Sequence, residues 1–232
     1  MSAATGSANL KEIPLFQGLD DSQIETIQQR VRRHHYASGT YIITAETPGE
    51  SVYIVLSGTV KIKADQADGK EVIIAILGAG SIVGEMSVLD CAGRSADVLT
   101  LEESNLLWMD RGTFNELVDT LPAVSRNLLQ ILTRRLRLTT EQIQALCTLD
   151  VYGMVARQLI AFADLYGETS SDGVVIPLRL TQSDIAGLVG ASRERVNQVF
   201  VALRDSRLIS VDGSYRITIH NDEKLREIVR QR

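Results

Sequence analysis

Apolar residues recur at alternating steps of three and four residues in the middle of the chain. The positions of this leucine stripe are Leu129, Leu132, Leu136, Thr139, Ile143 and Leu146. The spacing places them on one face of a helix, as a two-stranded coiled coil requires. Thr139 is the polar member of the stripe, and a buried hydroxyl group needs a hydrogen-bond partner. That partner is either a main-chain carbonyl one turn earlier or a polar group in the interface between two helices.

The pattern before this helix consists of short β-branched runs separated by glycine turns. The predicted strands are Ser51 to Leu56, Gly58 to Lys63, Lys70 to Leu77, Ile82 to Val83, Ala96 to Thr100 and Ser104 to Met109. Turn residues such as Pro48-Gly49 and Asp68-Gly69 lie between them. Many short strands with such turns indicate an antiparallel barrel or roll.

Helical patterns lie on either side of this β-rich stretch. The predicted helices are Asp21 to Arg33, Arg111 to Val118, Pro122 to about Leu149 and Val151 to Tyr166. His34 and His35 are interpreted as a polar patch at the end of the first helix. Asp150 is predicted to cap the fourth helix, because its carboxylate can accept hydrogen bonds from the unpaired amides of the first turn. A loop from Gly167 to Gly173 follows.

The C-terminal part of the chain carries the pattern of a helix-turn-helix. Thr181 and Asp184 fit a capping box that opens a helix from Gln182 to Val189. Gly190 can adopt the left-handed conformation that ends this helix, and Ser192 can cap the next one. The inward residues of the second helix are Val196, Val199, Phe200 and Leu203. A strand pair, Leu208 to Ser210 and Tyr215 to Ile219, is predicted to close the unit around the Asp212-Gly213 turn.

The outward face of the second helix carries long hydrogen-bonding side chains. These are Arg193, Glu194, Arg195, Asn197 and Gln198. Arginine can bind guanine and glutamine can bind adenine through two hydrogen bonds in the major groove. The pattern therefore favours double-stranded DNA as a partner, and the alternative is a plain helical hairpin with a charged face.

Composition and charge limit the possible classes of protein. With 232 residues and 44% hydrophobic content, the chain can form one large domain or two ordinary ones, and the patterns along the chain favour two. The net charge of −5 argues against indiscriminate nucleic-acid binding, although residues 179–207 hold five basic and three acidic side chains. Two cysteines without a CxxC motif or a nearby histidine pair argue against structural zinc, an iron-sulfur cluster or a disulfide framework. No apolar run approaches the roughly 20 residues that span a bilayer, so a soluble, cytoplasmic protein is expected.

Two further motifs lie in the β-rich stretch. They are Gly84-Glu85-Met86 and Arg94-Ser95-Ala96, and residues 84–96 are called the cassette below. With these motifs, residues 15–219 resemble the cyclic AMP receptor (catabolite activator) branch of the bacterial Crp/Fnr transcription regulators. The resemblance implies that Glu85 accepts a hydrogen bond from the ribose hydroxyl and that Arg94 pairs with the cyclic phosphate. Ser95 and the amides that follow Gly84, including that of Met86, would complete the anion site.

The resemblance also gives Thr139 an interpretation. In this branch, a hydroxyl pair on the dimer helix bonds the adenine, one residue from each subunit, and Thr139-Thr140 stands at the matching place. Ile74 and Ala75 fall where the family contacts the base and sugar. The sequence departs from the branch in two respects near this site. Thr140 stands where the branch has a serine, which keeps the hydroxyl but adds a methyl group. The loop between Glu85 and Arg94 is one residue shorter than in the enterobacterial receptor.

For DNA, the resemblance implies phosphate contacts from Thr181, Gln182 and Ser192. Arg193 and Glu194 match two of the family's three base-reading residues. Gln198 stands at the third position, where the family has an arginine. Because arginine and glutamine prefer different bases, the outer part of the half-site is expected to differ. The expected DNA site is pseudo-palindromic, and RNA polymerase is an implied partner.

Together these features predict an α+β protein with three parts. They are a cyclic-nucleotide-binding β-roll at 10–121, a dimerisation helix at 122–149 and a winged helix-turn-helix at 150–232. The expected function is a homodimeric, cyclic AMP-responsive, sequence-specific transcription regulator that is not an enzyme and needs no metal. One alternative keeps this fold with another effector, such as a different nucleotide or 2-oxoglutarate, or with none. A more distant alternative is a cyclic-nucleotide-binding subunit that acts on a protein partner.

Overall fold

The computed structural model describes residues 10–45, 47–65 and 71–230. Two short 3₁₀ helices, Leu10–Glu12 and Pro14–Phe16, come first. The elements that follow are α1 (Asp21–Arg30), β1 (Arg32–Tyr36), β2 (Tyr41–Ile43), β3 (Ser51–Ser57), β4 (Val60–Asp65), β5 (Glu71–Leu77), β6 (Ile82–Val83), α2 (Glu85–Leu89), β7 (Asp97–Thr100), β8 (Ser104–Asp110), α3 (Arg111–Thr120), α4 (Pro122–Thr148), α5 (Val151–Tyr166), β9 (Glu168–Ser170), β10 (Gly173–Ile176), α6 (Gln182–Val189), α7 (Arg193–Asp205), β11 (Ile209–Val211), β12 (Ile217–Ile219) and α8 (Asp222–Arg230).

The chain folds into two compact units. The first contains the residues up to Gly58 together with Ala79–Leu136, and the second contains Thr59–Gly78 together with Arg137–Arg232. The division between them therefore falls inside α4. The mixed α+β class is confirmed. Among the described residues, no helix is long and apolar enough to cross a membrane.

The first unit is built on an antiparallel sheet with the strand order β1-β8-β3-β6. Strand β3 runs beside β8 with Ile54 opposite Leu107. Both side chains are buried in the same hydrophobic core as Ile27 of α1 and Phe114 of α3. Strand β2 pairs with β7 in a second antiparallel contact. The sheet and its helices thus hold the segment between β6 and β7, which contains the cassette, on a closed core.

One prediction in this unit was wrong. Helix α1 ends at Arg30, and His34 and His35 lie on strand β1 rather than at a helix end. Val31 is already extended, and His35 lies opposite Asn105 of β8, to which its ring nitrogen Nδ1 is 3.2 Å away. The polar segment forms a strand because it pairs with the edge of β8. Residues close to His34 and His35 in the sequence give no sign of this distant partner.

The second unit contains the antiparallel β4–β5 hairpin, the end of α4 and the whole C-terminal region. Its helices α5, α6 and α7 contribute buried side chains, including Leu159, Ile185 and Phe200. A four-stranded sheet with the order β11-β12-β10-β9 accompanies them. Lys70 and the Asp68-Gly69 turn, which were predicted beside β5, lie outside the described residues.

The predicted caps of this unit are confirmed. The Thr181 side chain accepts a hydrogen bond from the Asp184 amide, and Asp184 accepts one from the Thr181 amide. Gly190 has a φ of 64°, so it takes the left-handed conformation at the end of α6. Ser192 and Asp150 accept hydrogen bonds from first-turn amides of α7 and α5. These short-range signals place the two helices of the helix-turn-helix correctly.

Three elements of the second unit, strands β9 and β10 and helix α8, have no counterpart in the sequence prediction. The expected loop at 167–173 contains strand β9, whose three residues are all exposed and are ordered by pairing with β10. Helix α8 follows β12 and buries Leu225 completely. Its Arg226 donates hydrogen bonds to Asp164 of α5 and to Asp222, and these bonds raise the pKa of the Arg226 guanidinium. Helix α8 is thereby fastened to α5 by both a buried leucine and an ion pair.

Candidate nucleotide site and DNA-reading surface

The cassette is organised around the buried guanidinium group of Arg94. Only 9% of this residue is exposed. Its Nη1 donates to the carbonyl oxygen of Gly84 and to the Ser87 hydroxyl, both at 2.9 Å, and its Nη2 donates to the carbonyl oxygen of Ser51 at 2.8 Å. Its Nε is buried without a hydrogen-bond partner among the described residues. A buried cation held by neutral acceptors is an environment that favours an added anion.

Burial and nearby groups shift the pKa of Arg94 in opposite directions. Burial lowers the pKa of the guanidinium, since a low-dielectric environment disfavours the charged form. Electrostatic interactions with Tyr53, Glu50 and Glu85 raise it. An arginine stays protonated under such conditions, so the site presents a positive charge at physiological pH.

Gly84 is required by the geometry of the cassette. Its φ of 84° is left-handed, and it directly precedes α2. A Cβ atom on this residue would lie 2.5 Å from Nη1 of Arg94 and 3.0 Å from the carbonyl oxygen of Ser51. Any side chain at this position would therefore displace the guanidinium group.

Glu85 is held by a residue that the sequence analysis did not identify. Its side chain is only 4% exposed, and Oε1 accepts a hydrogen bond from Nη1 of Arg135 at 2.6 Å. Arg135 projects from α4 and also donates to the carbonyl oxygen of Ile82. The carboxylate is thus fixed between the cassette and the long helix. Arg135 is one of several arginines on a highly charged helix, so its sequence neighbourhood carries no signal of the contact with Glu85.

The remaining cassette residues lie at the surface. Met86 is 55% exposed, and Ser95 is also exposed. Ser87, which the sequence analysis missed, is buried and bonds Arg94 as described above. Its hydroxyl also donates to the carbonyl oxygen of Gly84 at 3.2 Å. The structure therefore brings Gly84, Glu85 and Arg94 together with Ser87, and it leaves Met86 and Ser95 accessible beside them.

The other predicted nucleotide contacts belong to the second unit. Ile74 lies on β5 and is 48% exposed, whereas its neighbour Ala75 is half-buried. Thr139 and Thr140 lie on α4 and are both exposed. Their joint contact with one nucleotide stays a prediction.

The leucine stripe is open to solvent in the single chain. Leu129, Leu136, Ile143 and Leu146 are 65%, 69%, 58% and 50% exposed, whereas Leu132 is half-buried. These side chains share one face of α4, and an apolar helix face is buried only when another element packs against it. The stripe is therefore an apolar helix face available to a second helix.

The second unit presents the predicted DNA-reading residues on α7. Arg193, Glu194 and Gln198 are exposed, and Val196 and Phe200 on the opposite face are buried. Ser192 and Thr181 cap their helices, while Gln182 is half-buried at the start of α6.

The turn between β11 and β12, called the wing here, is held beside this surface. Tyr215 has a φ of 62°, and the guanidinium carbon of Arg179 lies 5.0 Å from the centre of its ring. The Tyr215 carbonyl oxygen accepts a hydrogen bond from the Leu180 amide at 3.0 Å. A cavity of about 420 Å³ separates the wing from α6 and α7. Its polar lining includes Thr181, Gln182, Arg193, Arg204 and Tyr215.

No group of three or more histidine, cysteine, aspartate or glutamate side chains suited to a metal ion occurs in the part of the chain that the structure describes.

Two family models match separate parts of the chain. Residues 33–120 match the cyclic nucleotide-binding domain, and residues 154–228 match the Crp-like helix-turn-helix domain. The first match contains the cassette, and the second contains α6, α7 and the wing.

Known proteins similar to the chain include two curated regulators and one solved structure. The CRP-like cAMP-activated global transcriptional regulator of Mycobacterium tuberculosis is 33% identical over 211 residues, covering 91% of this chain and 94% of that protein. The cyclic AMP receptor protein of Thermus thermophilus is 32% identical over 220 residues, covering 94% and 98%. The structure of CLP, a c-di-GMP responsive global regulator of Xanthomonas campestris, has a TM-score of 0.66 and 27% identity, covering 87% and 100%. On these likenesses and its two matched domains, the chain belongs to the Crp/Fnr family of transcription regulators, which are DNA-binding proteins and not enzymes.

Proposed function

We propose that this protein is a homodimeric transcription regulator whose binding to specific DNA sites depends on cyclic AMP. The observation that carries the proposal is the buried guanidinium of Arg94, which is surrounded by neutral acceptors beside a fixed carboxylate. A cyclic phosphodiester supplies the missing negative charge, and its ribose supplies a hydroxyl donor for Glu85. This pairing of one cation and one acceptor matches a nucleoside cyclic phosphate better than a simple anion.

The ligand would contact both ends of the cassette. Arg94 would donate to the phosphate, with Ser95 and the main chain at Gly84 and Met86 beside it. Glu85, steadied by Arg135, would accept from the ribose hydroxyl.

The base would be recognised by residues of the second unit. Thr139 and Thr140 supply exposed hydroxyls on α4, and adenine offers both donors and acceptors to them. Ile74 and Ala75 would contact the base and sugar through apolar surface.

Dimer formation would bury the leucine stripe. Two copies of α4 in parallel would cover the exposed side chains of Leu129, Leu136, Ile143 and Leu146, and apolar burial is the main source of stability in such contacts. A symmetric dimer also presents two copies of α7, which suits a pseudo-palindromic DNA site.

On DNA, the three capping or first-turn residues Thr181, Gln182 and Ser192 would contact phosphates. Arg193, Glu194 and Gln198 would read bases in the major groove. A regulator of this kind acts on chromosomal DNA in the cytoplasm, and RNA polymerase is its expected protein partner.

The proposal is tested by a gel-shift titration of a pseudo-palindromic DNA site with and without cyclic AMP. Coupling energies of allosteric proteins usually change affinity about 5- to 150-fold, so we expect DNA affinity to rise at least roughly fivefold with the nucleotide. Equal affinity in both titrations would rule out control by cyclic AMP. Absence of salt-dependent binding to duplex DNA would instead favour a subunit that acts on a protein partner.

A second candidate keeps the fold and changes the effector. It is favoured by the similarity to CLP, whose description names c-di-GMP as the signal. A thermal-shift comparison of cyclic AMP, cyclic GMP, c-di-GMP and 2-oxoglutarate distinguishes the candidates. The ligand that binds only the folded state raises the melting temperature, and we expect cyclic AMP to raise it most.

Replacing Gln198 with arginine is expected to change the preferred DNA sequence. Gln198 is exposed on α7, so the substitution does not disturb the core. Arginine favours guanine where glutamine favours adenine, and a bidentate pair contributes about 1–3 kcal/mol of discrimination. Selection of binding sites from a random DNA pool should return a changed outer base pair in each half-site. Val201→Ala, on an exposed residue of the same helix, serves as the matched control, and an identical selected site for Gln198→Arg would exclude base reading at this position.

A further inference from the structure

Helix α7 is held in one rotational setting about its own axis. Its inward face consists of four side chains that are each at most 7% exposed, namely Val196, Val199, Phe200 and Leu203. The Ser192 hydroxyl accepts a hydrogen bond from the Arg195 amide at 3.3 Å, which fixes the first turn. Rolling the helix would bring the apolar side chains into water, which is unfavourable. The fold of the second unit therefore determines which residues of α7 point away from the core.

The three proposed base-reading residues define a sector of the outward face, called the reading sector here. An α-helix turns by about 100° per residue, so Glu194 lies about 100° and Gln198 about 140° around the axis from Arg193. Asn197 lies about 40° from Arg193 in the same direction, which is inside the reading sector. Along the axis it lies between Glu194 and Gln198, and like them it is exposed. Asn197 therefore shares both the direction and the depth of the proposed reading residues.

Other exposed residues of α7 do not meet both conditions. Arg195 lies about 200° from Arg193 and so falls outside the reading sector. Three more exposed residues share its direction but lie beyond Gln198, toward the C-terminal end of the helix: Val201, Arg204 and Asp205. Recognition helices contact base edges mainly through their N-terminal residues. Among the described residues of α7, Asn197 is thus the additional one that both conditions select.

The carboxamide group of Asn197 has the chemistry that base recognition needs. It carries one acceptor oxygen and two N–H donors. In the major groove, adenine presents the acceptor N7 beside the donor N6, and an asparagine side chain can bind both atoms at once. No other base presents this combination in the same arrangement, so such a contact carries sequence information.

We propose that Asn197 is a fourth base-reading residue of α7 and that it binds one adenine in each half-site. Its Nδ2 donates to N7 of the adenine, and its Oδ1 accepts from the N6 amino group. Because Glu194 and Asn197 are three residues apart, they are neighbours on the helix surface, and the adenine lies beside the base pair that Glu194 contacts. The inference rests on the proposed function, since the reading sector is defined by the base contacts of Arg193, Glu194 and Gln198.

The first test compares the DNA sites that the full-length wild type and Asn197→Ala select from a random pool, with and without cyclic AMP. The position is exposed and alanine favours a helix, so the substitution leaves the fold intact. We expect the wild type to select adenine at one position of each half-site where the variant shows no preference. Discrimination against the other bases at that position should fall about 5- to 150-fold in gel-shift titrations.

Arg195→Ala is the matched control for the selection experiment. It truncates another exposed polar side chain of α7, two residues away and outside the reading sector. A contact from this flank of the helix falls on the DNA backbone, which carries no direct sequence information. The sequence selected by Arg195→Ala should therefore equal that of the wild type, whatever its overall affinity.

The second test removes the acceptor atom from the DNA rather than the side chain from the protein. The base 7-deazaadenine lacks N7 but keeps N6 and its pairing with thymine. One such base is placed at the selected adenine of one half-site. We expect wild-type affinity to fall at least about twofold, as the loss of one neutral hydrogen bond predicts. The affinity of Asn197→Ala should be the same for both DNA molecules.

Several results would overturn base reading by Asn197. They are an identical selected site for the wild type and Asn197→Ala, a uniform fall in affinity across all sequences, and a wild type that binds the 7-deazaadenine site unchanged. The second of these would place the side chain on a phosphate. If the wild type selects no DNA sequence at all, the proposed function fails instead, so the two failures are distinguishable.

Discussion

Replacing Arg94 with leucine is expected to lower the affinity for cyclic AMP at least about a hundredfold. Hydrogen bonds to charged groups contribute roughly 1.5–3 kcal/mol each, and a guanidinium group can donate two to one phosphate. The leucine variant also leaves the site without its buried positive charge. Isothermal titration calorimetry of the purified protein measures the loss directly.

Two controls accompany this prediction. Arg111→Leu removes another guanidinium next to the cassette, one whose Nη2 lies 2.8 Å from the Cys91 sulfur, and cyclic AMP affinity should not change. Thermal unfolding must be measured as well, because Arg94 also bonds the main chain at Gly84 and Ser51. A folded Arg94→Leu protein with wild-type affinity would show that the phosphate binds elsewhere.

Replacing Leu136 with glutamate is expected to convert the dimer into monomers at micromolar concentration. Leu136 is 69% exposed in the single chain, so the substitution leaves the core of the monomer intact. In a symmetric dimer, by contrast, it would place two carboxylates opposite each other in an apolar contact, which is strongly unfavourable. Sedimentation equilibrium gives the association state, and DNA affinity should fall with it because each monomer contacts one half-site.

Gln144→Glu is the matched control for the dimer prediction. It adds the same charge to an exposed position of α4 outside the leucine stripe, and the dimer should persist. A Leu136→Glu protein that remains dimeric would place the subunit contact on another surface. If the wild-type protein is monomeric in the same measurement, the proposed homodimer is wrong.

The helix-turn-helix could be predicted in detail because its signals are local. The Thr181–Asp184 capping box, the left-handed Gly190 and the Ser192 cap each depend on residues within four positions of one another. The inward side chains of α7 follow the helical period, and Val196, Val199, Phe200 and Leu203 are all buried. For the same reason, Asp150 could be identified as the cap of α5.

The cassette could be predicted only in part. Gly84, Glu85 and Arg94 were recognised from their motifs, and the structure brings them together. Ser87 was missed because serine on a short helix is usually only a surface residue. Arg135 was missed because its partner Glu85 is 50 positions away, and an arginine on a charged helix carries no local sign of that contact.

Features that depend on near neighbours could be predicted from the residues alone: the helix caps, the apolar period of the leucine stripe, the glycine that opens the cassette and the order of sheet and helices. Which distant groups meet became visible only in the folded chain. Strand β1 exists because β8 supplies its partner, α8 is fixed by Leu225 and Arg226 against α5, and Ile73 meets Gly187 over more than a hundred residues. The physical reason is that caps and periodicity arise from backbone geometry within a few residues, whereas burial and pairing depend on surfaces that form only when the chain has folded.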